Sequence, residues 1–124
     1  MNGAALPPGT RVLIVEDETI IAMTAEDMIE DLGCTVAATA GTLAQALDQV
    51  EAGGFDVAML DINLNGELSL PVAERLRAAG TPFLFTTGYG STGPGTAFTD
   101  AEVVRKPYRA ADLAAALSRV LTPG

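Results

Sequence analysis

The sequence has no histidine, no tryptophan and one cysteine, and only seven of its 124 residues are lysine or arginine. Each absence closes a class of function. Without histidine the chain can build no His-based catalytic triad, no His-ligated metal site and no phosphohistidine of its own. One thiol makes neither an internal disulfide nor a thiolate zinc cluster, and apolar neighbours place Cys34 at a buried strand position. Seven basic against sixteen acidic residues leave a formal charge of −9, which repels phosphate backbones and anionic lipid alike. Neither nucleic acid nor a membrane is expected as a partner. No apolar run approaches the roughly 20 residues of a membrane span, and Met1 to Arg11 lacks the charged-then-apolar order of a signal peptide. The expected location is the cytoplasm.

What remains is ordinary globular composition, 48% hydrophobic and 19% charged, in a length that suits one domain. A single unit is expected over residues 1–124, with its core at about 10–122 and no output domain after Thr122-Pro123-Gly124. Val12-Leu13-Ile14-Val15, Val57-Ala58-Met59-Leu60 and Phe83-Leu84-Phe85 are short unbroken apolar runs, the pattern of parallel strands covered on both faces. Thr35 to Ala40 and Glu102 to Arg105 read as weaker edge strands. Between these runs lie helical stripes: Ile21, Ala25, Met28, Ile29 and Leu32; then Leu43, Ala46, Leu47 and Val50; finally Leu113, Ala116, Leu117, Val120 and Leu121.

Helix limits are also marked. Thr42 and Gln45 form a capping box that Gly53-Gly54 closes, Pro71 suits a first helical turn that Gly80 ends, and the last helix begins at Asp112 or an earlier cap. Five strands alternating with helices, joined by right-handed crossovers, predict a flavodoxin-like, doubly wound α/β fold: a five-stranded parallel sheet of order 2-1-3-4-5 with helices on both faces. Gly88 to Thr99 is rich in glycine, so the fourth helix is expected to be short and its approach loop mobile.

Ligands of such a sheet collect beyond the carboxyl ends of its strands. The residues found there are Glu16-Asp17, Asp61, Thr86-Thr87-Gly88 and Lys106-Pro107. Taken alone, Asp17 would be a helix cap and Lys106 a solvated surface group. Three carboxylates in one crevice, however, repel by about 3 kcal/mol per pair at ~5 Å and an effective dielectric of ~20. A hard cation such as Mg²⁺ would neutralise them, keeping waters that a phosphate can displace. Phosphoryl transfer needs a nucleophile, a metal and positive charge on the phosphoryl oxygens. Asp61 is the candidate nucleophile, Lys106 the cationic partner and the Thr87 hydroxyl a further donor.

The succession Leu13-Ile14-Val15-Glu16-Asp17-Glu18, Met59-Leu60-Asp61-Ile62-Asn63-Leu64, Thr87-Gly88 and Lys106-Pro107-Tyr108 strongly resembles the receiver domain of two-component response regulators across nearly the whole chain. The resemblance implies a switch phosphorylated on Asp61 by a partner histidine kinase or histidine phosphotransfer protein, and reset by hydrolysis. It implies Mg²⁺ bound by Asp17 directly, by Glu16 mostly through water, by an Asp61 oxygen and by the backbone carbonyl of Asn63. Thr87 and Lys106 would close on the phosphoryl group and repack the surface of the fourth helix, fifth strand and fifth helix, which a downstream protein would read. It also implies that Lys106-Pro107 is a cis peptide.

Phe85-Thr86-Thr87-Gly88-Tyr89-Gly90 further resembles a subgroup common among stand-alone receivers, whose fourth strand ends Phe-Ala-Thr-Gly; here Thr86 replaces the alanine. Two other departures stand out. Val103 occupies the position of an aromatic that in many receivers swings inward with the threonine, so ordering of the glycine-rich loop after Thr87 is the expected substitute. Asn65-Gly66 replaces a proline, which leaves the local loop shape open.

Three other readings compete. Gly88 to Gly93 matches a dinucleotide fingerprint, but Pro94-Gly95 interrupts where the phosphate-binding helix would start. A small aspartyl-phosphate phosphohydrolase would need an acid where Asn63 stands, and a longer chain with a cap. A purely structural interaction domain would not need the full set of Glu16, Asp17, Asp61, Thr87 and Lys106. Whether the domain is stand-alone or excised from a hybrid histidine kinase, and whether it forms a homodimer, the residues leave open.

Overall fold

The computed structural model describes residues 6–88 and 100–122. Its main sheet contains β1 (Arg11–Val15), β2 (Thr35–Ala40), β3 (Val57–Asp61), β6 (Phe83–Thr87) and β7 (Val103–Arg105). All the pairings are parallel and the order is β2-β1-β3-β6-β7, the predicted 2-1-3-4-5 arrangement. A small antiparallel hairpin, β4 (Asn63–Leu64) with β5 (Glu67–Leu68), stands apart from it. The described helices are α1 (Thr19–Asp31), α2 (Leu43–Ala52), α3 (Leu70–Ala79) and α4 (Ala110–Leu121).

The strand period of two divides the apolar residues between two cores. Leu13, Val15, Ala58, Leu60, Phe83 and Phe85 face Ala46 of α2 and Val72, Ala73 and Leu76 of α3. Val12, Ile14, Val57, Met59, Leu84 and Val104 face Ala25 and Ile29 of α1 and Leu113, Ala116 and Leu117 of α4. Burying one Leu or Ile side chain in this way contributes about 1.5–3 kcal/mol. Central β1, β3 and β6 are covered on both faces, which is why their sequences do not alternate. Edge strand β2 alternates exposed and half-buried residues until Ala40.

Most punctuation behaves as expected. Pro71 lies in the first turn of α3, and Gly80 ends that helix in the left-handed region at φ 75°. Thr42 Oγ1 accepts from the Gln45 amide at 3.1 Å, but the Gln45 side chain accepts from Gly41 rather than Thr42, so the reciprocal box is displaced by one residue. Arg109 caps α4, and its amide donates to Asp112 three residues on at 3.0 Å.

One expectation needs correction, and two details are added. Cys34 is buried but precedes β2; its amide donates to Ile29 O at the close of α1, so it packs from a connection and not from a strand. The fourth apolar run extends as strand through Thr87, because Thr86 and Thr87 continue the ladder against Asp61 and Arg105. The β4–β5 hairpin was not foreseen. The predicted fourth helix and the dinucleotide-like Gly88–Gly93 segment fall mainly outside the described residues, so the predicted fifth strand and fifth helix are β7 and α4. No described helix is long and apolar enough to cross a membrane.

Candidate functional site

Parallel strands deliver their carboxyl ends to one rim, and every candidate residue comes from there. Glu16 and Asp17 follow β1, Asp61 closes β3, Thr87 closes β6 and Lys106 follows β7. Glu16, Asp17 and Asp61 each bring a carboxylate oxygen within 4.8 Å of the other two. Lys106 Nζ reaches Glu16 Oε1 at 2.7 Å and Asp61 Oδ2 at 3.0 Å. The lysine side chain is only 13% exposed, so it is no solvated surface group. Asp17 is no helix cap either, since its Oδ2 accepts from the Asn65 amide at 3.0 Å.

The backbone holds these ends in register. Glu16 N donates to Ala40 O at 2.9 Å, Ile62 N to Thr86 O at 3.0 Å and Lys106 N to Thr87 O at 2.8 Å. The Lys106–Pro107 peptide is cis, as the resemblance implied. Asn63 is the exposed first residue of β4; its amide donates to Asp61 Oδ1 at 3.3 Å, while its side-chain oxygen accepts from Gly66 N at 2.7 Å. Its side chain is thereby engaged in the turn and not in the cluster.

Electrostatics set the character of the rim. Burial pushes the Glu16 carboxyl up to about 7, the Asp61 charge adds to the push, and the hydrogen bond from Lys106 opposes it. Burial would lower the Lys106 ammonium, but its bonds to Glu16 and Asp61 outweigh that and raise it above the ordinary lysine value. One cation among three carboxylates leaves negative charge uncompensated. The donors are all oxygen, the preference of a hard divalent ion, so Glu16, Asp17 and Asp61 fit Mg²⁺. Thr87 Oγ1 is buried without a hydrogen-bond partner among the described residues, as is Ser69 Oγ at the start of α3. A buried hydroxyl left unpaired costs about 1–3 kcal/mol, and one that lies on a ligand-binding rim is a donor in waiting. Gly88 and Lys106 also line a cleft of about 480 Å³ that runs along α1 from Ile21 to Met28 and faces Pro107–Tyr108.

The response regulator receiver domain model matches residues 12–118. The chain belongs to this family. Receiver domains are signalling modules of two-component systems, and the five-stranded sheet is theirs. Among solved structures, SdrG from Sphingomonas melonis Fr1 is 45% identical and superposes with a TM-score of 0.85, over 94% of this chain and all of that one. The PhyR regulator of Methylorubrum extorquens is 33% identical over 120 residues, covering 90% of this chain and 43% of its own length. The transcriptional regulatory protein DltR of Streptococcus agalactiae is 33% identical over 111 residues, with 85% and 49% covered. This chain thus spans about half the length of the curated relatives it matches.

Glu16, Asp17, Asp61, Thr87 and Lys106 lie at the ends of the parallel strands, whereas Asn63 opens the hairpin two residues beyond Asp61 with its side chain in the turn. The sequence reading missed the Asn65 amide as a partner of Asp17. The signal was present: Asn-Gly between short runs is the strongest local mark of a two-residue hairpin.

Proposed function

We propose that this receiver domain is a phosphorelay switch that accepts a phosphoryl group on Asp61 from the phosphohistidine of a histidine kinase or histidine phosphotransfer protein. The observation that carries the reading is the convergence on Asp61: Lys106 Nζ at 3.0 Å on one oxygen, the Asn63 amide on the other, and Glu16 and Asp17 within 4.8 Å. In the transfer, an Asp61 oxygen forms a bond to phosphorus as the phosphorus–nitrogen bond of the donor breaks, and the electron pair returns to the donor imidazole. Glu16, Asp17, Asp61 and the Asn63 carbonyl would hold Mg²⁺, which supplies Lewis-acid stabilisation of the phosphoryl oxygens when bound. Lys106 supplies a movable positive charge, and the unpaired Thr87 hydroxyl a donor for another phosphoryl oxygen.

The chain passes its signal by protein contacts and is not a multiple-turnover enzyme. Asn63 stands where a phosphohydrolase would carry its acid, and its side chain is occupied by the turn. Thr87 ends β6 beside Arg105 of β7 and Lys106 follows β7, so their movement toward a phosphoryl group would alter the face of β7 and α4. That face is the proposed contact for a downstream protein. Val103 on β7 supplies no aromatic for the usual inward swing, so the glycine-rich loop after Thr87 carries the response. The reading treats the chain as one cytoplasmic domain. A BeF3-activated conformation of SdrG, 43% identical with a TM-score of 0.77, supports the analogy.

The test is incubation with a small-molecule phosphodonor, with and without Mg²⁺, followed by intact mass and site mapping. One Mg²⁺-dependent acyl phosphate on Asp61 is expected. Label elsewhere, or turnover of small phosphoesters without a labelled chain, overturns the reading.

A further inference from the structure

The turn at Asn65-Gly66 takes no part in the phosphoryl chemistry above, yet it touches the carboxylate rim at Asp17, as the amide of Glu18, the cap of α1, does at Glu16. Asn65 has φ 52° and Gly66 φ 89°, the pair of left-handed residues that a two-residue hairpin turn of the mirror-image type demands. The turn is anchored at both sides. Leu64, 1% exposed, plugs into the core beside α2 and α3, and the Asn63 side-chain oxygen accepts the Gly66 amide at 2.7 Å. So fixed, the Asn65 amide donates to Asp17 Oδ2 at 3.0 Å across 48 positions of sequence. Asp17 needs such a tether, because α1 begins beyond it with Glu18 as its cap and gives it no bond.

We infer that Asn65-Gly66 is a positioning element for Asp17, its backbone donor fixing one carboxylate oxygen so that the other is presented to the divalent ion. The inference rests on the Mg²⁺ reading proposed above. Groups that orient a metal ligand typically change affinity about 10–100-fold when lost. Here the tether is a single backbone bond, which places the expected effect at the lower end. A Cβ at Gly66 would meet nothing within 4 Å, so a substitution there acts through backbone conformation and not through collision. A β-branched residue resists positive φ, whereas asparagine tolerates it.

The test compares the unaltered chain with Gly66→Val and Gly66→Asn, reading Mg²⁺ affinity by titration and amide hydrogen exchange at Asn65 in the metal-free chain. Expected are a protected Asn65 amide in the unaltered chain and Gly66→Asn, loss of that protection in Gly66→Val, and about tenfold weaker Mg²⁺ binding only in Gly66→Val. Equal affinities in folded Gly66→Val and the unaltered chain overturn the inference and leave the metal site standing. If Gly66→Val does not fold, the exchange measurement alone decides: an unprotected Asn65 amide in the unaltered metal-free chain also overturns it. No Mg²⁺ uptake by the unaltered chain overturns the metal reading itself, and this inference with it.

Discussion

Two ion-pair clusters sit at opposite ends of the sheet and use the same chemistry to different ends. At the amino ends, Arg11 grips Asp56 through two side-chain bonds of 3.0 and 3.2 Å and a backbone bond of 2.8 Å, with the side chains 52% and 41% exposed. At the carboxyl ends, Lys106 holds Glu16 and Asp61 at similar distances, but the three side chains are 13%, 4% and 8% exposed. Contact distance therefore does not separate them; burial and stoichiometry do. The exposed pair is one base to one acid, satisfied and screened by water, and such pairs contribute little to stability. With half-buried Asp17 beside the two buried acids, the strand-end set has three acids to one base, so it holds an electrostatic deficit that a divalent ion or a phosphoryl group can exploit. A complete ion pair is a clip, whereas an incomplete one is a site.

The largest break in that comparison is Asp61→Asn, which is nearly isosteric and removes the attacking oxygen. Phosphodonor labelling should vanish by intact mass while the circular dichroism spectrum is retained; undiminished phosphate incorporation would refute the assignment. Next is Lys106→Ala, which strips the buried acids of their counter-charge. It should lower metal-free stability by about 2 kcal/mol in denaturant titrations, short of the usual 3–5 for a broken buried pair because Glu16 can take a proton. Some labelling should persist with a weakened conformational change, and an unchanged response contradicts the role given to Lys106.

A third test is pH. Folding raises Glu16 from an ordinary 4.5 to about 7, so the native chain binds more protons than the unfolded one between those values. The stability this contributes is full below 4.5 and is lost as pH rises through about 7. Mg²⁺ requires the carboxylate and displaces that proton, so its stabilisation of thermal unfolding should be larger at pH 7.5 than at pH 5.5. Equal Mg²⁺ effects at the two pH values would show Glu16 already ionised. The smallest effect belongs to the exposed clip. The hydrogen bond from Arg11 holds Asp56 below its ordinary 3.8, so its contribution persists at neutral pH and disappears only as pH falls below that value. Asp56→Asn should shift the unfolding midpoint far less than Lys106→Ala, and the shift should fade in high salt.

Why the site was legible follows from the same geometry. Parallel strands are unbroken apolar runs, so the first polar residues after Val15 and Leu60 mark the rim without any tertiary information, and Lys106-Pro107 follows the short edge strand that ends at Arg105. Glu16, Asp17, Asp61 and Lys106 were found that way, and the core stripes of α1, α2 and α4 by their helical period. Legibility failed where structure depends on a partner far along the chain. Asp17 looked like a cap because its true donor, Asn65, is 48 residues away. Cys34 looked like a strand residue because apolar neighbours do not say where a ladder begins. The hairpin is marked in the sequence by Asn65-Gly66 alone, since its arms, two residues each, are too short to show alternation.

The central claim is that the buried acids at the strand ends are short of positive charge and take up a divalent ion. Calorimetric titration with Mg²⁺ at pH 7, in two buffers of different ionisation enthalpy, tests it most directly. The account predicts one ion bound per chain, with a fraction of a proton released from Glu16 and seen as a buffer-dependent heat. Absence of binding heat in both buffers would contradict it.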